Sequence, residues 1–313
     1  MATMTASVVT DRSRNRIRSR AASNLVERLQ TYAFYVPIAL VFVVLFAIPF
    51  GQSVYYSFTN LAGLSPEYHF VGLANYVRVF TDPSLLSGLV FTLFFAIATT
   101  VLITCLALPL AVILNRKFFG QRFVRAMYFF PAIPSIAILA LVWQFILSPL
   151  ASGALNTLLH DLFGIGPVPW LSDPTLAQIS VVVVGVWSLT GWHAVLYLAY
   201  LQSIPGDYYE VARIDGASSS QQFRYITLPM LAPAITVSTL LLMTSGLNVY
   251  ALPQNLTSGG PGFATYTITQ NIVISGISEG QYGQASALGV VFMIAVGVVI
   301  VLQLMLSRRL QRS

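Results

Sequence analysis

The sequence predicts an all-α, polytopic membrane protein with six transmembrane helices. Three observations carry that reading. Only 8% of the residues are charged and 56% are hydrophobic, whereas an ordinary soluble domain carries about 25% charged residues. Uncharged apolar runs repeatedly reach the ~20 residues that cross a bilayer core as helix. The basic residues then fall on alternate connections between those runs.

Taken in chain order, residues 1–30 are polar and basic, with Arg12, Arg14, Arg16, Arg18, Arg20 and Arg28 among Ser, Thr and Asn. Such a segment predicts a disordered cytoplasmic tail. A cleaved signal peptide is not expected, because the next apolar run is too long and lacks a small-residue cleavage site. Residues 31–313 form the membrane domain, with spans expected over 33–57, 87–114, 126–148, 176–202, 232–252 and 284–306. The uncharged stretch from Tyr225 to Ser278 is too long for one helix. Its Ser258-Gly259-Gly260-Pro261-Gly262 run breaks helices, so the fifth span ends before it.

Lys and Arg set the orientation. Arg116, Lys117, Arg122 and Arg125 follow span two; Arg213 and Arg224 follow span four; Arg308, Arg309 and Arg312 close the chain. With the tail, these are fifteen of the sixteen basic residues; Arg78 alone lies on the other side. Both termini and the even-numbered connections are therefore expected in the cytoplasm. This sidedness also accounts for the net charge of +6 without nucleic acid.

Several classes are disfavoured by what the spans lack. None contains Asp, Glu, Lys or Arg, the residues by which proton- and ion-coupled carriers usually work within the bilayer. A self-sufficient carrier or channel stays open as the alternative, since backbone carbonyls can also bind ions. No G-x-x-x-x-G-K-[ST] phosphate loop occurs, and the single lysine, Lys117, is followed by Phe118. The chain is thus not expected to hydrolyse ATP, to be an enzyme, or to hold a cofactor or metal. Cys105, alone in an apolar run, cannot form an internal disulfide and reads as a small buried hydrophobe.

The most informative segment is the connection after span four, about 203–230. Pro205 stops the span; Asp207 is expected as an N-cap with Glu210 completing a capping box. Gly216 suits the left-handed conformation that ends a helix, and Ser219 with Gln222 offers a second capping pattern. Pro229 stops the second helix. Ala212, Gly216 and Ala217 are small enough for another surface to approach the backbone. Val211, Ile214 and Phe223 are apolar in a loop that should face water. Physics alone allows either a docking element or an amphipathic connector lying on the membrane surface.

This segment resembles the E-A-A, three residues, G, nine residues, I-x-L-P signature of ABC importer permeases. Glu210, Ala212, Asp215, Gly216, Ala217, Ile226, Leu228 and Pro229 match in register, and Val211 replaces the usual second residue. The resemblance implies that the segment is the coupling helix, which inserts into a cleft of the ATPase subunit. Pro131–Pro134 with Trp143, Trp170-Leu171-Ser172-Asp173-Pro174, Trp187 to Gln202, and Leu256-Thr257-Ser258-Gly259-Gly260-Pro261 look like the sugar and glycerol-phosphate permeases of maltose type. That group implies a second homologous permease subunit, two copies of an ATP-binding subunit holding ATP and Mg, and an external solute-binding protein or lipoprotein. It also implies the bacterial inner membrane.

A polar solute needs polar or aromatic groups at membrane depth. Span four offers Trp187, Thr190, Gly191, Trp192 and His193; the end of span five offers Asn248, Tyr250, Gln254 and Asn255. Each has a plainer use, in packing, in an interhelical hydrogen bond or in an interfacial aromatic belt. A sugar or polyol is favoured over a glycerol-phosphate ester, because phosphate is usually met by Arg or Lys and the spans have none.

Overall fold

The computed structural model describes residues 32–63 and 67–312, with side chains to 305. The expected basic tail of residues 1–30 lies outside the described residues, as do the side chains of Arg308, Arg309 and Arg312. Residues up to Tyr55 and residues from Tyr56 form two compact units. Helix α1 (Tyr32–Tyr56), the first expected span, accounts for the described part of the first unit. It carries a π-turn over Val43–Ala47.

In the second unit, a short α2 (Ala74–Thr81) leads to α3 (Pro83–Asn115), the second span. α4 (Gln121–Phe129) and α5 (Ile136–Ile146) follow, then α6 (Ala154–Phe163) and α7 (Pro174–Leu201), the fourth span. The same dipeptide starts both long helices. Asp82 accepts from Ser84 N (2.9 Å) ahead of Pro83, and Asp173 accepts from Thr175 N and Leu176 N (3.0 and 2.9 Å) ahead of Pro174. The aspartate satisfies free N–H groups, and proline costs nothing at a first helical position.

α3 and α7 pack along their lengths, and their buried faces make the centre of the core: Phe91, Phe95 and Ile103 on one, Val181, Ala194 and Tyr197 on the other. Helix α10 (Ala232–Leu247), the fifth span, crosses α3 closely. A Cβ at Gly246 would stand 2.7 Å from Ala96 Cα, so the absence of a side chain sets that crossing. The last span is α13 (Tyr282–Arg312).

Two expectations are corrected. Span three is not one helix over 126–148: α4 with a 3₁₀ turn at Phe130–Ala132 meets α5 at 93°. Pro131 and Pro134 cannot donate to the preceding turn, so the ladder breaks there. Cys105 is exposed on α3 rather than buried. On an all-apolar helix, lipid-facing and core-facing positions cannot be told apart by hydropathy. The outer connection after span five is folded. It contains α11 (Ala251–Thr257) and α12 (Ile268–Val273, continued by a π-turn over Ile274–Ser278), and Ile268, Gln270 and Asn271 are buried.

Candidate functional site

The signature segment forms α8 (Asp207–Ile214), a turn, and α9 (Ser219–Met230). Gly206 is already helical (φ −60°, ψ −29°), so it, not Asp207, holds the N-cap position, and the expected capping box with Glu210 does not form. Both acids still lie in the first turn, where negative charge suits the helix dipole. Gly216 takes φ +78° and reverses the chain. That reversal leaves Ser218 extended, so the second capping box uses Ser218 and Gln221, one residue earlier than the expected Ser219 and Gln222. Gln222 instead donates its amide to Ala217 O at 2.9 Å.

The turn is therefore stiff, and α8 projects from it. Glu210, Asp215 and Gly216 are exposed, and Ala212 and Ala217 half-buried. Ile214 is 85% exposed and Val211 59%. On a helix of eight residues, these two side chains leave an apolar face uncovered. One side-chain bond leads from it into the core: the Tyr209 and Thr227 hydroxyls lie 3.0 Å apart, and Thr227 is buried.

The passage residues fall into separate places. Asn248 and Tyr250 line a cavity of about 460 Å³ among spans two, four and five, together with Thr99, Ser188, Ser245 and Phe95. Its polar groups are hydroxyls and an amide, and no ionisable carboxylate or base lines it. Trp187 and Gly191 line a second, apolar cavity of about 690 Å³ beneath the bend of span three. Trp187 there meets Trp143 edge-on at 5.3 Å. At Gly191 a Cβ would run into the Tyr128 carbonyl oxygen, so the glycine lets α4 sit against α7.

Trp192, His193 and Gln254 line neither cavity. Trp192 is partly exposed and contacts its neighbour His193 edge-on at 4.7 Å. His193 is buried and bonds Ser238 Oγ through Nδ1 at 2.7 Å, while Tyr197 donates to the same oxygen at 2.8 Å. The Ser238 hydroxyl thus bridges the two side chains of span four. This trio ties span four to span five. Gln254 Oε1 accepts from Gln270 Nε2 at 2.8 Å, holding α11 to α12.

Sequence reasoning missed Thr99, Ser188 and Ser245, the hydroxyls of the first cavity. Their signal is weak, because small hydroxyl residues in spans commonly bond their own backbone; Thr99 does so to Phe95 O at 2.7 Å. It also missed Thr227, whose meaning appears only when α9 folds back beside α8.

The model of the family described as "Binding-protein-dependent transport system inner membrane component" matches residues 103–312. The chain is 32% identical to the probable starch degradation products transport system permease protein AmyD of Thermoanaerobacterium thermosulfurigenes, covering 89% of this chain and 94% of that one. It is 35% identical to the trehalose/maltose transport system permease protein MalF of Thermococcus litoralis, over 85% of this chain and 89% of that one. Among solved structures, a chain of a bacterial ABC transporter involved in the import of the acidic polysaccharide alginate superposes with a TM-score of 0.80. That match covers 93% of this chain and 99% of the other at 23% identity, and so speaks to the fold.

Proposed function

This chain belongs to the binding-protein-dependent transport system inner membrane components, and from that premise we propose how it works and what it carries. It is one of two related permease subunits of an ATP-binding-cassette importer in the bacterial inner membrane, with both termini cytoplasmic. Two copies of a separate ATP-binding subunit hold ATP and Mg, and an external solute-binding protein delivers the substrate. This chain supplies half of the passage and no cofactor chemistry of its own.

The observation that carries the reading is α8, with its exposed Val211 and Ile214. Docked in a cleft of the ATPase, α8 moves when ATP draws the two ATPase subunits together. Glu210, Ala212, Asp215, Gly216 and Ala217 form or support that docking surface. Spans four and five then shift, and access to the passage alternates between the two sides of the membrane.

The substrate is a neutral sugar or polyol. Support comes from the first cavity, whose Thr99, Ser188, Ser245, Asn248 and Tyr250 offer hydroxyl- and amide-type hydrogen bonds and an aromatic face, with no cation to meet phosphate or carboxylate. The names of the relatives, which refer to starch products and to trehalose and maltose, point the same way. Trp187, Gly191, Trp192, His193 and Gln254 act around this cavity by setting helix positions.

The test is the ATPase activity of the reconstituted complex with its binding protein loaded in turn with neutral and with acidic oligosaccharides. Stimulation by the neutral ligand is expected. Stimulation confined to an acidic or phosphorylated ligand refutes the substrate assignment.

A further inference from the structure

The route by which movement of α8 reaches the passage is visible in the hydrogen bonds of α9. Among the described residues, Tyr209 to Thr227 is the side-chain bond that joins α8 directly to α9. The Thr227 hydroxyl also lies within reach of Gln222 O (3.4 Å). Thr227 closes a π-turn over Phe223–Thr227, in which Leu228 N bonds back to Phe223 O. The bond therefore grips α9 at its far end rather than near the Gly216 turn. At the near end, the Ser218–Gln221 capping box and the Gln222 to Ala217 bond hold the turn to α9.

Immediately beyond Thr227 the chain bends. α9 and α10 meet at 65° across Leu231. Pro229 and Pro233 flank the bend, and neither can donate to the turn before it. Leu231 N to Thr227 O and Ile235 N to Leu231 O, both 2.9 Å, are the bonds that bridge it. With those donors missing, fewer backbone bonds hold the bend than hold an unbroken helix. The far end of α10 carries Ser245, Gly246 and Asn248, which line the neutral cavity.

We infer that the Tyr209–Thr227 bond locks α8 and α9 into one lever that pivots at Leu231, making Tyr209 a positioning residue for transport. The inference rests on the permease reading above. Without the bond, α8 and α9 are joined by the turn alone, and part of the displacement of α8 is absorbed there.

The test uses the complete reconstituted transporter with its ATPase subunits and binding protein. Spin labels at Asp207 and Arg224, both exposed, report the lever; labels at Arg224 and Leu241 report the pivot. In the otherwise native chain the first distance should stay constant on ATP binding while the second changes. Tyr209→Phe keeps the ring, and Thr227→Val keeps the shape; each removes a hydroxyl. Each should broaden the first distance on ATP binding and lower substrate imported per ATP by roughly 2- to 12-fold, the range of one net hydrogen bond. The double variant should be no worse than either single one, as expected of two halves of one contact. A first distance that shifts with ATP in the native chain overturns the lever, and this needs neither variant to fold. Unchanged coupling in both variants also overturns it. A second distance that does not respond to ATP in a complex that still imports overturns the pivot; a native complex that neither imports nor hydrolyses ATP refutes the permease reading instead.

Discussion

Gly216 offers the sharpest separation of backbone from surface. Its φ is +78°, and a Cβ built there meets nothing within 4 Å. A substitution therefore costs torsional energy and not a clash. An L-residue held in the left-handed region loses about 1–2 kcal/mol, and a β-branched one resists it most. That is enough to reduce the native turn relative to distorted forms by about 5- to 30-fold. Gly216→Val should thus lower substrate-stimulated ATPase activity of the reconstituted complex by up to that same factor. Gly216→Asn adds a side chain of comparable bulk but tolerates the left-handed region, and should stay near the native rate. Ser220→Ala, at an exposed position on α9, is the control. The chain should reach the membrane in all cases, because the site lies outside the spans. The reasoning is refuted if Val matches the native activity, or if Asn and Val fail alike, since the added bulk and not the turn would then be responsible.

Three further outcomes follow from the packing and the charges. Gly191→Ala should destabilise the second unit by at least the ~3 kcal/mol at the upper end for overpacking, because a carbonyl oxygen of the facing helix, at Tyr128, cannot swing aside as a side-chain tip could; thermal unfolding of the solubilised complex measures it. Asn156, 2% exposed, donates to three carbonyls and accepts from Val168 N (3.1 Å) and Trp170 Nε1 (2.9 Å). Asn156→Leu strands both of those donors at about 1–3 kcal/mol each, and should speed hydrogen exchange at Val168 and proteolysis between 148 and 170. With Cys105 changed to Ser, a cysteine placed at Ala62 should label from outside the cell and one at Ser219 only from inside; the reverse pattern contradicts the orientation drawn from the basic residues.

Much of this architecture could be read from composition, because a bilayer imposes length and apolarity on every span. The left-handed Gly216 follows from local chemistry, and was legible for that reason; the Asp-Pro starts of α3 and α7 were not read, and these helices begin at Pro83 and Pro174, ahead of the expected 87 and 176. The bend of span three was not. Pro131 and Pro134 advertise a break, but its 93° angle depends on how α4 and α5 pack against α7. The first capping box is absent and the second is shifted by one residue because a helix start depends on the conformation of the residue before it, as at Gly206. The signature segment stood out because its polar and apolar residues alternate with purpose in a short loop. The cavity linings were only half legible. Asn248 and Tyr250 do reach one cavity with Ser245, yet Trp187 and His193, on the same helix, turn to different neighbours. A uniformly apolar helix gives no hydropathy signal for which face meets substrate, lipid or a partner.

The central claim is that this chain is a passage driven by ATP hydrolysis on another subunit, and one paired assay tests it. The purified chain alone, and the complete complex with ATPase subunits and binding protein, are reconstituted in liposomes and assayed together for ATP hydrolysis and for uptake of a radiolabelled neutral oligosaccharide. The account predicts no hydrolysis and no uptake by the chain alone, and ATP-dependent uptake by the complex. Hydrolysis by the chain after every ATPase subunit has been removed, or uptake that proceeds without them, contradicts it.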